Sequence, residues 1–147
     1  MSNSFIKPRP FVELATFYIG DACCGIDILK VQEINKLTQV TLVPLAPEYV
    51  KGILNLRGRI ITVVDVGKRL GLSSRCEPNH RRNIIVRFEN EFIALLVDSI
   101  GDVFRTEMEN IEMPPANVAG NQSQYFEGVL KTEKQLISIL NLAAVLG

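Results

Sequence analysis

The side chains able to do chemistry are few and poorly grouped. His80 is the single histidine, so no histidine pair is available for a metal and only one imidazole for a nucleophile relay. Cys23 and Cys24 are adjacent and Cys76 is distant. An odd count without C-x-x-C spacing is neither a disulfide framework nor a zinc site, and the pair reads as small apolar strand residues. Asp65 and Asp98 each stand apart in sequence from the second carboxylate that acid–base catalysis would use. Ser99 lacks the glycines of a nucleophile elbow, and the chain has no Gly-rich phosphate loop. These residues predict no catalytic centre, no metal site and no cofactor. Arg81 and Arg82 beside His80 read as a solvated charge cluster in a linker, with an anion site as the alternative.

Charge and composition exclude further classes. Sixteen Lys and Arg balance sixteen Asp and Glu, so there is no net field to gather nucleic acid or an anionic membrane. A hydrophobic content of 47% with 22% charged residues in 147 residues is ordinary globular composition. No apolar run approaches the roughly 20 residues of a membrane span, which predicts no direct membrane insertion. Unpaired cysteines predict a reduced, cytoplasmic protein. Residues 1–10 are polar with two prolines and read as a flexible arm.

The elements that must position any site are short strands. Phe11–Ile19 and Cys23–Ile28 flank the turn dipeptide Gly20-Asp21. Ile53–Leu56 and Ile60–Val66 flank Arg57-Gly58-Arg59, Asn83–Phe88 and Phe92–Val97 flank Glu89–Glu91, and Phe126–Leu130 and Leu136–Leu140 flank Lys131–Gln135. Helix is expected only in short pieces, around Ile28–Ile34, Val66–Leu70 and Leu142–Leu146. Many short strands with close turn signals predict an all-β barrel or sandwich.

The chain repeats itself. Tyr49–Leu54 matches Tyr125–Leu130 at an offset of 76 residues, and the same offset carries Ile60–Asp65 onto Leu136–Asn141. Gly25–Ile34 aligns with Ala94–Val103 at an offset of 69. Two related β lobes packed on one another follow, each too small for a good core alone. The halves differ at one hairpin: the second carries polar Lys131–Gln135 where the first carries Asn55-Leu56-Arg57-Gly58. Arg57 at such a tip either offers a planar fork to a carboxylate across a groove or is an ordinary turn residue.

The run Gly52–Ile61 resembles the "GxxNLRG" signature of CheW-type chemotaxis coupling proteins. Gly25–Ile34 resembles that family's "gI…V-x-EI" block, and Val43-Pro44 to Pro47 its loop before the signature. Leu95–Val103 resembles its "llVDxVxdV" block, and Ile111–Pro115 the loop after it. Five motifs stand in order over about residues 11–146. The resemblance implies two intertwined five-stranded, SH3-like β-barrels around a shared hydrophobic core with short helices. On it we expect one domain over 11–147. Its lobes would be about 15–80 and 81–140, with terminal segments open to exchange between them.

The resemblance also implies a non-enzymatic adaptor, a monomer when isolated. It would couple methyl-accepting chemoreceptor tips to the regulatory domain of a CheA-type histidine kinase, in the cytoplasm at the receptor array. The positions matching the family's receptor-binding segments are Val31, Glu33, Gly52, Asn55 and Arg57, with Ile34 and Ile100 as further apolar lining. Val31 and Ile34 have core packing as their alternative role, and Glu33 with Arg57 a mutual salt bridge. For the kinase, the candidates are Ile84, Ile85 and Val86, which equally suit an interior strand, and Glu112 and Asn117 in the 111–117 loop. Asn141 is expected to cap a strand end. Two other readings stand beside this one: a CheW-like module of a larger kinase or adaptor–receiver protein, and a β-barrel nucleic-acid binder using Arg57, Arg59, Arg81 and Arg82.

Overall fold

The computed structural model describes residues 10–36, 39–74, 76–114 and 120–147; the arm at 1–9 and Asn117 lie outside these. Strand β1, Phe11–Ile19, buries Val12 and Leu14 and exposes Phe11 and Glu13, as a strand covered on one face does at its start. Gly20, at φ +57°, turns the chain into β2, Ala22–Asp27. The helix expected around Ile28–Ile34 does not form. Ile28–Lys30 makes a single 3-10 turn, capped by Asp27 Oδ1 accepting the Leu29 N–H at 3.0 Å, and Val31–Asn35 is strand β3. The β-branched Val31 and Ile34 suit an extended chain, and β3 pairs antiparallel with Arg82–Phe88.

The hairpin of β4, Val50–Leu56, and β5, Arg59–Asp65, leads into helix α1, Val66–Leu70. Strands β6, Arg82–Phe88, and β7, Glu91–Val97, form the next hairpin, followed by β8, Ser99–Glu107, and β9, Ile111–Glu112. Strands β10, Phe126–Lys131, and β11, Leu136–Leu140, then lead into helix α2, Leu142–Leu146. The nine-residue β8 had no clear signal, because four successive residues, Asp102 to Arg105, are exposed and the apolar alternation is lost.

One sheet runs β8-β1-β2-β11-β10-β9 and the other β3-β6-β7-β5-β4. The repeat is legible in this order: β8, β1, β2, β11 and β10 correspond to β3, β6, β7, β5 and β4. Each sheet contains one parallel pair, β2 with β11 and β7 with β5. Strand β9 adds a sixth, with Glu112 facing Val129, where among the described residues the other sheet has only the isolated bridge Thr41–Ile53. The two sheets do not divide simply at residue 80. One sheet draws its strands from 31–97 and the other from 11–27 and 99–140. The two halves have exchanged their first hairpins, so neither lobe closes without the other half.

The apolar strands face two ways. Ile84 and Val86 of β6 join Phe17, Ile26, Leu95, Val97 and α2 Val145 in a cluster between the sheets. Ile85, pointing oppositely, joins Leu54, Ile61 and Val63 inside its own lobe. Val12, Leu14, Leu130 and Ile137 fill the other lobe. Each lobe thus has a small core, and the shared cluster between them holds the larger set of buried side chains.

Local details repeat as well. Both β4–β5 and β10–β11 shift register, at Gly52 and at Gly128. Asp65 caps α1 through Lys68 N–H at 3.1 Å, and Asn141 caps α2 through Ala144 N–H at 3.2 Å. Arg69 breaks the symmetry. Its guanidinium lies 4.3 Å from the ring centre of Tyr49 and 5.2 Å from that of Tyr125, which are equivalent residues, and Nε donates to Val145 O at 2.9 Å. A cation at the C-terminal end of α2 suits that helix's exposed carbonyls.

Candidate functional site

The β4–β5 hairpin reverses through Arg57 at φ +52° and Gly58 at φ +84°. Two positive φ values match the turn twist that a two-residue hairpin needs. Gly58 meets that need without a side chain; Arg57 is held there by its contacts. Asn55 Oδ1 accepts the Gly58 N–H at 2.8 Å, fixing the turn. The Arg57 side chain, 71% exposed, crosses to β3, where Nη1 donates to Glu33 Oε1 at 2.7 Å.

Strand β3 aims Glu33 at this contact. Its pairing with β6 slips between Val31 and Glu33, and Val31, Glu33 and Asn35 share the less exposed face. Asn35 Nδ2 donates to Glu33 Oε2 at 3.1 Å, and Asn83 Nδ2 donates to Asn35 Oδ1 at 3.3 Å. The polar chain therefore runs from the hairpin tip to β6. Hydrogen bonds from Arg57 first and Asn35 second hold the Glu33 carboxyl below its usual range, and Glu33 in turn raises Arg57. Arg59 lies over the Phe92 ring at 4.5 Å, and these side chains with Gln32 and Leu56 border a pocket of about 270 Å³. A fork-shaped cation and a carboxylate at an exposed rim beside a small pocket can recognise a polypeptide; nothing in the arrangement activates a bond.

The other residues named from sequence fall as follows. Ile34 is 43% exposed beside Glu33. Val31 and Ile100 are half-buried on the edge strands β3 and β8 and pack against the shared cluster. Gly52 is buried in the bulge, where a Cβ would stand 2.2 Å from Thr41 O. It holds the hairpin's register and presents nothing to a partner. Ile84, Ile85 and Val86 are no more than 1% exposed, on a strand paired on both sides by β3 and β7. They have no free edge or surface, so the kinase contact expected there is withdrawn. Glu112 is exposed on β9 with Lys131 Nζ 3.8 Å away, and Asn117 lies outside the described residues. Sequence reasoning missed Asn35, Arg59, Asn83 and Phe92 as neighbours of the site. Asn35 was within reach, since a strand's two-residue period puts it on the face of Glu33. Phe92 and Asn83 arrive only through the pairing of β6 and β7 with the other half's strands.

Arg81 is not a solvated linker charge. Its side chain is 13% exposed and makes a bidentate pair with Asp65, at 3.1 and 3.3 Å, with Nε 3.8 Å from Asp98 Oδ1. Asp98 also accepts the Gly20 N–H at 2.7 Å and the Ser74 hydroxyl at 2.6 Å. Two carboxylates far apart in sequence thus meet, but across a guanidinium that ties the connection after α1 to both hairpin systems. Arg82 donates to the backbone of His80 and Arg81. With Arg57 on Glu33 and Arg59 on Phe92, the four arginines do not act as one basic surface for nucleic acid. Among the described residues, no group of three or more His, Cys, Asp or Glu could hold a metal, and no helix is long and apolar enough to cross a membrane.

A family profile described as "CheW-like domain" matches residues 13–147. The probable chemotaxis protein CheW of Rhizobium etli is 33% identical over 134 residues, 90% of this chain and 86% of that protein. The chemotaxis protein CheW of Rhizobium meliloti is 34% identical over the same length, with 90% and 86% covered. Among solved structures, the scaffolding protein TtCheW from Thermoanaerobacter tengcongensis superposes with a TM-score of 0.83 at 34% identity, covering 92% of this chain and 87% of that one.

Proposed function

The chain belongs to the CheW-like domain family, with residues 13–147 inside the family match, and on that premise we propose that it is a non-enzymatic adaptor coupling chemoreceptor tips to the regulatory domain of a CheA-type histidine kinase. The observation that carries this reading is the 2.7 Å contact between Arg57 and Glu33. It joins two of the segments that resemble the family's motifs, and it does so at an exposed rim.

The receptor site in this reading is Glu33, Asn55 and Arg57, with Ile34 exposed beside them and Val31 and Ile100 as partly buried apolar lining. A receptor tip is a helical hairpin, and such a surface suits an apolar stripe set between placed charges. Gly52 acts by fixing the hairpin. On the kinase side, exposed Glu112 remains a candidate. Holding two partners in fixed geometry lets a shift in one bias the other's conformation, which needs no catalytic group. The protein would act in the cytoplasm, placed at the membrane-bound array through its partners.

A pull-down tests this directly. Immobilised protein should retain both a purified receptor cytoplasmic tip and a purified kinase regulatory domain at roughly tens of micromolar. Retention of neither would overturn the adaptor reading.

A further inference from the structure

The polar mouth that Arg57 closes in one lobe stands open in the other. By the repeat, Asp102 on β8 is the counterpart of Glu33, and Glu133 in the β10–β11 hairpin is the counterpart of Arg57. A second carboxylate cannot close on the first. Among the described residues, neither Asp102 nor Glu133 has a side-chain hydrogen bond or ion pair. The cleft they border measures about 790 Å³, against about 270 Å³ at the closed mouth.

Asp102, Phe104 and Thr106 alternate along the inner face of β8, and Tyr18 lies on the neighbouring β1. Leu130 and Ile137 form an apolar floor, and the 131–135 hairpin is the far wall. The charges here are the carboxylates Asp102, Glu112 and Glu133 against the ammonium groups of Lys131 and Lys134. Lys131 stands 3.8 Å from Glu112, which leaves Lys134, among the described residues that line the cleft, as the one counter-charge to Asp102 and Glu133. Among the described residues, strand β8 is also an edge strand, with one side free of a neighbouring strand.

We propose that this cleft binds an extended, arginine-bearing segment of a partner protein, whose guanidinium takes the place that Arg57 holds in the first lobe. The same molecule carries the precedent: at the equivalent position a carboxylate on the third strand of the repeat receives a guanidinium at 2.7 Å. Asp102 keeps the carboxylate, the hairpin no longer supplies the cation, and the space is larger. Arginine fits better than lysine because its planar fork can bridge two carboxylates and stack on aromatic rings such as Tyr18 and Phe104. A cleft of this size falls within the roughly 300–1,000 Å³ of small binding sites, and the free edge of β8 offers backbone groups to an extended chain.

The test titrates ¹⁵N-labelled protein with the capped pentapeptide Ala-Ala-Arg-Ala-Ala and with its lysine and glutamine versions. The arginine peptide should give saturable shifts at Tyr18, Asp102, Phe104 and Glu133. Asp102→Asn should weaken that binding by about tenfold or more while leaving the remaining spectrum in place, since Asp102 is exposed. The lysine and glutamine peptides should bind more weakly than the arginine peptide. Absence of saturable shifts, unchanged affinity in Asp102→Asn, equal binding of the lysine or glutamine peptide, or shifts confined to the Glu33 hairpin would each overturn the proposal.

Discussion

Arg57 Nη1 sits 2.7 Å from Glu33 Oε1, and this contact ties the tip of the β4–β5 hairpin to the edge strand β3. The guanidinium is largely exposed, so its removal leaves no cavity. Arg57→Ala should therefore keep the fold, with a melting temperature close to that of the parent. It should also weaken retention of a receptor tip by about tenfold or more, the scale of an arginine hot spot. Pull-down beside thermal melting separates the two. An unfolded variant would make Arg57 structural and remove it from the recognition surface.

The pair also sets a pH dependence. Glu33 titrates below the usual glutamate range when folded, first because of Arg57 and then because of Asn35. Its folded-state pKa is depressed, so its contribution is present above the unfolded value and is lost as pH falls through the folded one. Carboxyl NMR should find the Glu33 midpoint below that of an ordinary glutamate in the parent and moved upward in Arg57→Ala. Added salt should shrink the difference, because the pair is exposed. An unshifted midpoint in the parent would show that the contact is not populated in solution.

Much of this was legible in the chain. The offset of 76 residues between Tyr49–Asp65 and Tyr125–Asn141 carries the bulge glycines, the helix caps, and the backbone bonds that Asp65 N–H donates to Tyr49 O at 2.7 Å and Asn141 N–H to Tyr125 O at 2.8 Å. The "NLRG" hairpin and Glu33 were named together from motifs, and the fold brings them into contact. The sequence left exchange between the lobes open, and what could not be read is which hairpins exchange. A repeat in sequence says that two units are alike, not which strands of each unit pair. Phe92 beside Arg59 and the burial of Ile84–Val86 on both faces depend on that exchange. Arg81 was misread for a related reason: its partners Asp65 and Asp98 lie 16 and 17 residues away on different strand ends, so its neighbours in sequence, His80 and Arg82, suggested solvent.

Arg81 should matter to stability far more than Arg57. It is the shared counter-charge of two nearly buried carboxylates. Arg81→Ala would leave Asp65 and Asp98 with less compensation, and the expected loss is about 3 kcal/mol. Lysine keeps the charge but not the fork, so Arg81→Lys should recover only part of it. Denaturant unfolding reads both as lower midpoints with unchanged slope. A change well under about 1 kcal/mol for Arg81→Ala would mean that the hydrogen bonds from Gly20 and Ser74, with the Asp65 cap, suffice.

Two glycines of the same motif should respond differently. At Gly58 nothing lies within 4 Å of an added Cβ, and only φ +84° opposes it, so Gly58→Ala should cost about 1 kcal/mol. At Gly52 the Cβ would meet Thr41 O at 2.2 Å and Val40 Cγ1 at 2.7 Å, so Gly52→Ala must displace the bridging segment beside it. A loss of about 2–4 kcal/mol is expected. Partner binding should fall with Gly52→Ala only as far as unfolding explains. A binding defect in fully folded Gly52→Ala would instead place Gly52 at the recognition surface.

The cysteines report on the shared core. The Cys24 thiol is pushed up to about 12, by burial first and by Cys23 second, and burial also raises Cys23 against a hydrogen bond from Tyr18. The thiolate is the reactive form, so neither should react at neutral pH while β2 stays packed. Cys76 is only half-buried, near Asp98 O and the Ser74 hydroxyl. Iodoacetamide treatment of native protein, followed by peptide mass spectrometry, should modify Cys76 first, with Cys23 and Cys24 modified only after denaturation. The rate at Cys24 then measures opening of the cluster between the sheets. Arg81→Ala, by loosening the hairpin connections around that cluster, should raise the Cys24 rate, whereas Arg57→Ala should not. Equal rates at all three cysteines in the native parent would show that the buried position of β2 does not hold in solution.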